Sequence, residues 1–549
     1  MDDAKALFRR VKTPEEGGYP GFGYRTERDG DMLIERDVAV RLRDGALIYA
    51  DVFRPADGQN VPAVIGWAPY GKHPHLKWTL FPGADVDPDK ISEYTPFEAP
   101  DPVTWTRHGY ALIFPDPRGT WNSQGAAATF FSPQEAEDGC DVVEWAAAQP
   151  WCSGKVGLAG VSYLAISQWA VAALRPPHLA AINPWEGCSD MYREFFFHGG
   201  IPSTRFLDNW ETRTHARVPA EDTKAMTRER PLLDDYWREK SADLSRIEVP
   251  AFIVASWTDQ GLHTRGTLEA HKRIASREKW LVVHGGKKWQ YYYAEENVAR
   301  QIAFFDHFLK GVESGIAAWP KVEIEVRERF SVARRRAESE WPLARTTYRA
   351  YYLDASDGSL AKTPRESSSS VRYPAQAERG VSFDHTFSED TELTGHAKLR
   401  LWVSAEGADD MDLFVALEKL DREGNFVPFA FFNAFEDGPA ALGWLRVSHR
   451  ELDAERSTPE QPWHTHRSEQ PLPADGRPVP VEIEIWPSST RFAAGETLRL
   501  VVQGTDVKRY PPGLVAIEHQ DTRNRGTHVI HTGGSYDAML LVPVIPPRR

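Results

Sequence analysis

The chain is poor in cysteine: among 549 residues there are three, Cys140, Cys152 and Cys188. None belongs to a Cys-x-x-Cys pair, and the number is odd. A disulfide scaffold is excluded, and the scatter suits a reducing compartment. A long basic run is also missing. The formal net charge is −14 and the longest cationic cluster is Arg334-Arg335-Arg336, which reads as a solvated surface. That balance argues against a nucleic-acid partner and against docking on an anionic membrane. No run of about 18 apolar residues occurs, so no spanning helix is expected. The N-terminal Met1-Asp2-Asp3-Ala4-Lys5 lacks the charged-then-apolar pattern of a secretory signal. No clustered set of metal ligands appears, so neither a metal nor an organic cofactor is implied. The expectation is a soluble cytoplasmic protein acting on a small molecule. A homo-oligomer is compatible with the sequence.

What the chain has is length, apolar residues (41%) and aromatics, with Trp 19, Tyr 18 and Phe 26. The length suits two to four domains. Residues 1–32 are polar and Gly-rich and read as an N-terminal arm. Beyond it, short apolar runs rich in Val, Ile and Leu alternate with helix-like stretches. The runs are Val38–Leu42, Leu47–Phe53, Ala63–Ala68, Ala111–Pro115, Val156–Ala159, Leu179–Asn183, Ala251–Ser256 and Trp280–His284. The helix-like stretches include Pro133–Ala148 and Ser162–Leu174. Such alternation predicts an α/β domain with a mostly parallel sheet buried on both faces, spanning 33–186 and 248–318. Residues 187–247 break the rhythm and read as a helical cap, with helices at Ser189–Phe197, Ala220–Arg228 and Leu233–Ser241. From 319 to 549 the pattern becomes short alternating strands separated by turns, which predicts a β-sandwich or jelly roll.

The segment Lys155-Val-Gly-Leu-Ala-Gly-Val-Ser162-Tyr-Leu-Ala carries the chemistry. A short apolar strand runs into Gly160-Val161-Ser162, and a helix-like stretch follows. A serine on so sharp a turn needs small neighbours. The structural alternative is a serine that caps a helix. A nucleophilic serine needs a base, and the base an orienting carboxylate. In the α/β-hydrolase fold these follow in the order Ser, Asp or Glu, His. Ala251–Ser256 followed by Trp257-Thr258-Asp259 offers the acid at a strand end. Trp280-Leu-Val-Val-His284 offers a histidine at the end of the last strand, with Gly285 and Gly286 next to give it room. His307 lies within a helix-like segment and reads as a packing or surface histidine.

Further motifs, in order along the chain, extend the pattern. They are Ala68-Pro69-Tyr70, Asp116-Pro117-Arg118-Gly119 with Ser123 and Gly125, Gly160-Val161-Ser162-Tyr163, Asp235-Tyr236-Trp237, Trp257-Thr258-Asp259, Phe304-Phe305-Asp306, Asp410-Met411-Asp412 and Gly495-Glu496. Together, from about residue 35 to 545, the chain resembles the X-Pro dipeptidyl-peptidase/cocaine esterase-like (CocE/NonD) hydrolases. The resemblance implies an α/β-hydrolase fold with a helical cap insertion and a C-terminal jelly-roll domain. It also implies that Tyr70 and the backbone N–H of Tyr163 hold an oxyanion. For Arg118, the expectation is a buried arginine pairing with a carboxylate near the sheet edge. One departure stands out. The family places its histidine in a Gly-Pro-Trp-x-His turn. Here the stretch is His284-Gly285-Gly286-Lys287-Lys288-Trp289, with Lys288 at the histidine's position.

The expected function is hydrolysis of a carboxylic ester or amide through an acyl-enzyme, with Ser162, His284 and Asp259 as the triad. His284 and Lys288 both stand as candidates for the base. An unperturbed lysine is protonated near neutral pH, which favours His284. Trp185, Tyr192, Phe196 and Trp210 are candidates for lining a substrate pocket. Peptide, β-lactam, aromatic ester and lactone substrates all fit. The rival functions are acyl transfer or a non-hydrolytic reaction on the same scaffold, and ligand binding without catalysis.

Overall fold

The computed structural model describes residues 6–76 and 78–547; the first five residues, Met1–Lys5, lie outside the described residues. Among the described residues, eleven strands form the central sheet: β1 (Arg25–Asp29), β2 (Met32–Arg41), β3 (Leu47–Pro55), β4 (Val61–Ile65), β5 (Ala111–Asp116), β6 (Cys152–Val161), β7 (Leu179–Trp185), β8 (Ala251–Ser256), β9 (Lys279–His284), β10 (Val322–Arg329) and β11 (Val332–Glu338). Their spatial order is β1-β2-β3-β5-β4-β6-β7-β8-β9-β10-β11. The run from β5 through β4 to β10 is parallel, and both flanks are antiparallel. Every residue of β4, β5 and β8 is buried. This is why those segments read as continuous apolar runs: helices cover both faces of a parallel sheet. Helix Pro133–Ala147 starts on Ser132, whose side chain accepts from the Glu135 N–H, and has Pro at its first turn, a regular helix start.

Three sequence expectations differ from the structure. The arm 1–32 contributes a strand, β1, that pairs with β2. The cap is less helical than expected. Ser189–Phe197 holds only a π-turn at Tyr192–Phe196, and regular helix occurs at Thr204–Glu211, Thr223–Glu229 and Asp235–Arg238. The reason is packing. The Phe-rich stretch around 195–197 is pinned among Tyr192, Trp210 and Trp237, and tertiary contacts override weak local propensity. Finally, the central sheet continues past residue 318. β10 adds in parallel to β9, and β11, which carries Arg334-Arg335-Arg336, closes the edge. The run of exposed residues Ala333, Arg334 and Arg335 along β11 hid this strand from a reading based on apolar runs.

The C-terminal strands form a sandwich. One sheet is built on the long strand Thr391–Glu406, which pairs with Val479–Phe492, Met539–Val544 and Thr527–Thr532. The other aligns Val381–Thr386, Thr497–Gln503, Asp412–Leu420 and Ala441–Arg446. Leu413, Val415 and Leu417 point into the sandwich core. Their neighbours Phe414 and Ala416 join the core of the α/β domain, as do Leu442, Trp444 and Trp486. The two cores thus meet across strands that are apolar on both faces.

A buried ion cluster sits on that junction. Arg265, 1% exposed, donates to Glu194 of the cap at 2.6 Å and to Glu484 of the sandwich at 2.9 Å. Removing the shared cation strands the buried Glu194 carboxylate and leaves the partly exposed Glu484 with Gln461 as a donor. Arg265→Met is expected to lower stability by about 3–5 kcal/mol, read as a fall in the urea unfolding midpoint. A midpoint unchanged from wild type would show that the cluster contributes nothing net.

Candidate active site

Ser162 ends the β6 run and precedes helix Tyr163–Leu174. Its backbone has φ 61 and ψ −114, a conformation that costs a non-glycine residue roughly 1–3 kcal/mol. The surroundings hold it there: Ser162 N–H donates to Trp185 O (3.0 Å) and Val161 N–H to Glu98 O (3.1 Å). Gly160 is required by space, since a Cβ at that position would lie 2.5 Å from Leu164 Cβ. Ala165 is small because Gly187 crosses directly against it. The incomplete glycine pattern around the serine therefore has a steric explanation.

The structure brings His263 to Ser162. Its Nε2 lies 3.2 Å from Ser162 Oγ, and its Nδ1 is hydrogen-bonded to Asp259 Oδ2. Asp259 follows β8, and the chain turns so that the N–H groups of Leu262, His263 and Thr264 converge on Asp259 O. This turn stacks residue 263 over residue 259, the i, i+4 relation of a helical turn. Lys288 completes the group. Its Nζ donates to Asp259 Oδ2 at 2.6 Å and lies 2.9 Å from His263 Nδ1.

His284 is not brought to Ser162. Its Nε2 pairs with Glu186 Oε1 at 3.1 Å, its Nδ1 accepts from Gly286 N–H, and its ring stacks on Tyr291 at 3.8 Å. Both nitrogens are engaged within the core. The site expected of His284 is occupied by His263 instead, because the Asp259 turn folds back over the serine before β9 ends. The signal for His263 was present in Asp259-Gln-Gly-Leu-His263: a histidine one helical turn after the acid. Lysine in place of the family's histidine was a second pointer. His307 packs edge-on to Phe308.

Tyr70 OH accepts from Trp210 Nε1 at 3.0 Å and lies beside the Ser162 side chain. The Tyr163 side chain points away, donating to Glu135 at 2.8 Å, so this residue can serve Ser162 only through its backbone. Of the four candidate pocket aromatics, Trp210 touches the site, through Tyr70. Trp185 lies behind Ser162 and packs on Tyr292 at 5.0 Å. Tyr192 stacks on Phe197, with its hydroxyl donating to Pro231 O, and Phe196 packs on Trp237. A cavity of about 190 Å³ opens between the Tyr163–Leu174 helix and the cap, lined by Trp67, Tyr163, Ile166, Met191 and Leu244 but not by Ser162. Arg118 pairs through two nitrogens with Asp138, at 2.7 and 2.8 Å, as the sequence suggested.

The electrostatics follow from burial and pairing. Burial opposes the Asp259 charge, but the Lys288 ammonium and His263 outweigh it and hold this carboxyl well below the usual range. Burial and the Lys288 charge push His263 below an ordinary histidine, against the pull of Asp259. Burial and the nearby Glu98 raise Tyr70, which stays a neutral hydrogen-bond donor. Glu98 itself is pushed up to about 7, mainly by burial.

Residues 44–289 match the X-Pro dipeptidyl-peptidase (S15 family) model, and residues 314–541 match the X-Pro dipeptidyl-peptidase C-terminal non-catalytic domain. A solved CocE/NonD family hydrolase from Staphylococcus aureus is 42% identical; the alignment covers 98% of this chain and 99% of that one, with a TM-score of 0.91. Cocaine esterase from Rhodococcus sp. (strain MB1 Bresler) is 24% identical over 94% of this chain and 99% of its own. An aminopeptidase from a marine-sediment Thaumarchaeota archaeon shares the fold at 15% identity and a TM-score of 0.69, with 100% of this chain and 99% of that one covered. Among the described residues no helix is long and apolar enough to cross a membrane. With a strained serine elbow in an α/β-hydrolase sheet, a strand-rich C-terminal domain and a near-complete match to a hydrolase of known structure, the chain belongs to the CocE/NonD family of serine hydrolases.

Proposed function

We propose that this hydrolase cleaves a small carboxylic ester or amide with Ser162 as nucleophile, His263 as general base and then acid, and Asp259 as the group that orients it. The observation that carries this reading is the unbroken line from Ser162 Oγ to His263 Nε2 and from His263 Nδ1 to Asp259. With the Nδ1 proton directed at Asp259, Nε2 presents its lone pair to the serine. Attack on the carbonyl moves the serine proton to Nε2, and collapse of the tetrahedral intermediate returns it to the leaving group. The acyl-serine is then cleaved by water with the same imidazole as base. Tyr70 OH and the Tyr163 N–H are the proposed oxyanion donors. Trp210 donates to the oxygen of the Tyr70 hydroxyl and so fixes its direction.

The leaving group and the acyl group are left to substrate profiling across aromatic esters, lactones, β-lactams and short peptides. The site needs no metal in this scheme. The proposed location is the cytoplasm, which the three unpaired thiols Cys140, Cys152 and Cys188 suit.

A fluorophosphonate probe tests the nucleophile. Labelling is expected on Ser162 alone, identified by peptide mass, and is expected to vanish in Ser162→Ala. Labelling elsewhere, or none on the folded protein, would overturn the serine assignment. Tyr70→Phe is expected to lower kcat by about 10²–10³-fold with a small change in KM, the loss typical of one oxyanion donor. A loss carried entirely by KM would instead give Tyr70 a ground-state binding role.

A further inference from the structure

Lys288 is the first residue of helix Lys288–Tyr293 and is 1% exposed. An ammonium so deeply buried must be compensated by partners. The groups facing it come from three other parts of the chain. Asp259 and His263 belong to the turn after β8, Glu186 follows β7, and Glu98 precedes helix Pro102–Arg107. On its own helix it has the Trp289 ring, at 5.8 Å. Two of these carboxylates have other donors. Glu186 accepts from Ser256 Oγ at 2.7 Å and from His284, and Glu98 accepts from Trp289 Nε1 at 2.9 Å. Asp259 is the carboxylate Lys288 touches, at 2.6 Å, through the same Oδ2 that His263 uses.

Resting on the reading of His263 as the base, we infer that Lys288 is a positioning residue: its ammonium shares Asp259 with the imidazole, holds that carboxylate in place, and keeps His263 neutral and ready to accept the serine proton in more acidic conditions than Asp259 alone would allow.

The physical argument has two parts. In a triad without such a lysine, the carboxylate stabilises the imidazolium without competition. Here a positive charge 2.9 Å from Nδ1 opposes protonation of the ring. Burial acts in the same direction, and the two together outweigh Asp259 and Glu186, whose charges favour the protonated ring. The sign follows. A base held below its ordinary range stays unprotonated as the pH falls, so the acid limb of the rate profile lies below that of an ordinary histidine. The second part is geometric. Pairing with Lys288 keeps Asp259 ionised and acceptor-only; with the ammonium protons directed at Asp259 rather than at His263 Nδ1, 2.9 Å away, the Nδ1 proton is the one Asp259 accepts. The productive tautomer depends on that arrangement. Lysine itself is a poor candidate for the base, because the neighbouring Asp259, Glu186 and Glu98 favour its charged form over the desolvation that opposes it.

The test is the pH dependence of p-nitrophenyl butyrate turnover and, in parallel, of inactivation by a fluorophosphonate, for wild type, Lys288→Gln and Lys288→Arg. Lys288→Gln keeps a donor for Asp259 but no charge, and its acid limb is expected to move up by about one pH unit or more. Lys288→Arg keeps the charge, and its limb is expected to stay near that of wild type. An unmoved limb in folded Lys288→Gln, or equal shifts in both variants, would overturn the proposal. If Lys288→Gln does not fold, the wild-type imidazole of His263 can be followed by NMR, assigned by comparison with His263→Gln. It is expected to remain neutral well below the pH at which a free histidine takes up its proton, and titration near an ordinary histidine value of about 6.5 would overturn the proposal. Full activity in His263→Ala would instead remove the reading of the base, whatever Lys288 does.

Discussion

His263→Ala is expected to lower kcat by about 10³-fold or more, to the level of Ser162→Ala, and the double variant is expected to lose little beyond either single one. That non-additivity marks two residues acting as one unit. The contrast is with His284→Gln, which still donates to Glu186 from its amide. It is expected to keep turnover within about threefold of wild type, the modest effect of a change away from reacting groups. Removal of its stack on Tyr291, at 3.8 Å, is expected to reduce stability by about 1 kcal/mol. Activity assays on p-nitrophenyl butyrate, with circular dichroism as the folding control, separate the two histidines. A dead His284→Gln beside an active His263→Ala would return the base to the end of β9 and sink the triad proposed here.

The two histidines also show what could be read from sequence and why the rest could not. The strand-end positions of Ser162 and Asp259 were legible because a short apolar strand meets a turn at each, and strands buried on both faces leave a clear one-dimensional trace. The parallel core of the sheet was visible for the same reason. His263 was not selected, because the fold's usual order directs attention to the end of the final strand, and Trp280–His284 offers a histidine there. What brings His263 rather than His284 to Ser162 is the turn at 259–263, whose N–H groups gather on Asp259 O. Such a turn has no hydrophobic period to announce it. Tyr70 was legible from its motif, whereas its partner Trp210 was only one of several cap aromatics. The sequence could not say which of those would face the serine, since Tyr192 and Phe196 have the same composition signal and a different fate. Strand β11 escaped because Arg334-Arg335-Arg336 looks like any charged surface in sequence, yet a charged strand is a natural way to close a sheet edge.

Truncation after residue 318 is expected to yield insoluble, inactive protein, and the reasons lie on both sides of the cut. On the α/β side, the fragment loses β10 and β11, which leaves β9 as an open parallel edge and so a template for aggregation. Trp257 loses the Glu325 carbonyl that its Nε1 donates to at 2.7 Å. The apolar surface now covered by Phe414, Leu442, Trp444, Trp486 and Ile517 would face water, a patch of the kind that drives association. Extending the fragment to residue 340 would restore the sheet edge but not that cover, and it is expected to be insoluble as well. The active site fails for a separate reason. The turn that carries Asp259 and His263 is clamped by the sandwich. Phe432 N–H donates to Thr258 O (2.9 Å), Gln260 Nε2 to Pro487 O (3.1 Å), and Leu442 N–H to Gln260 Oε1 (3.1 Å). Gly261 lies against Ile517 and Trp444, where a Cβ would come within 3.2 and 3.4 Å of them. Without these contacts a misplacement of about 1 Å at His263 would be enough to cost roughly 10²-fold in rate. The domain described as non-catalytic in the family would then act in this chain as the outer wall that holds the base in register. The measurement is soluble yield and fluorophosphonate labelling of the 1–318 and 1–340 fragments beside the full chain. A soluble 1–318 fragment that labels at the full-chain rate would show that the sandwich is an appendage and that the Asp259–His263 turn holds itself.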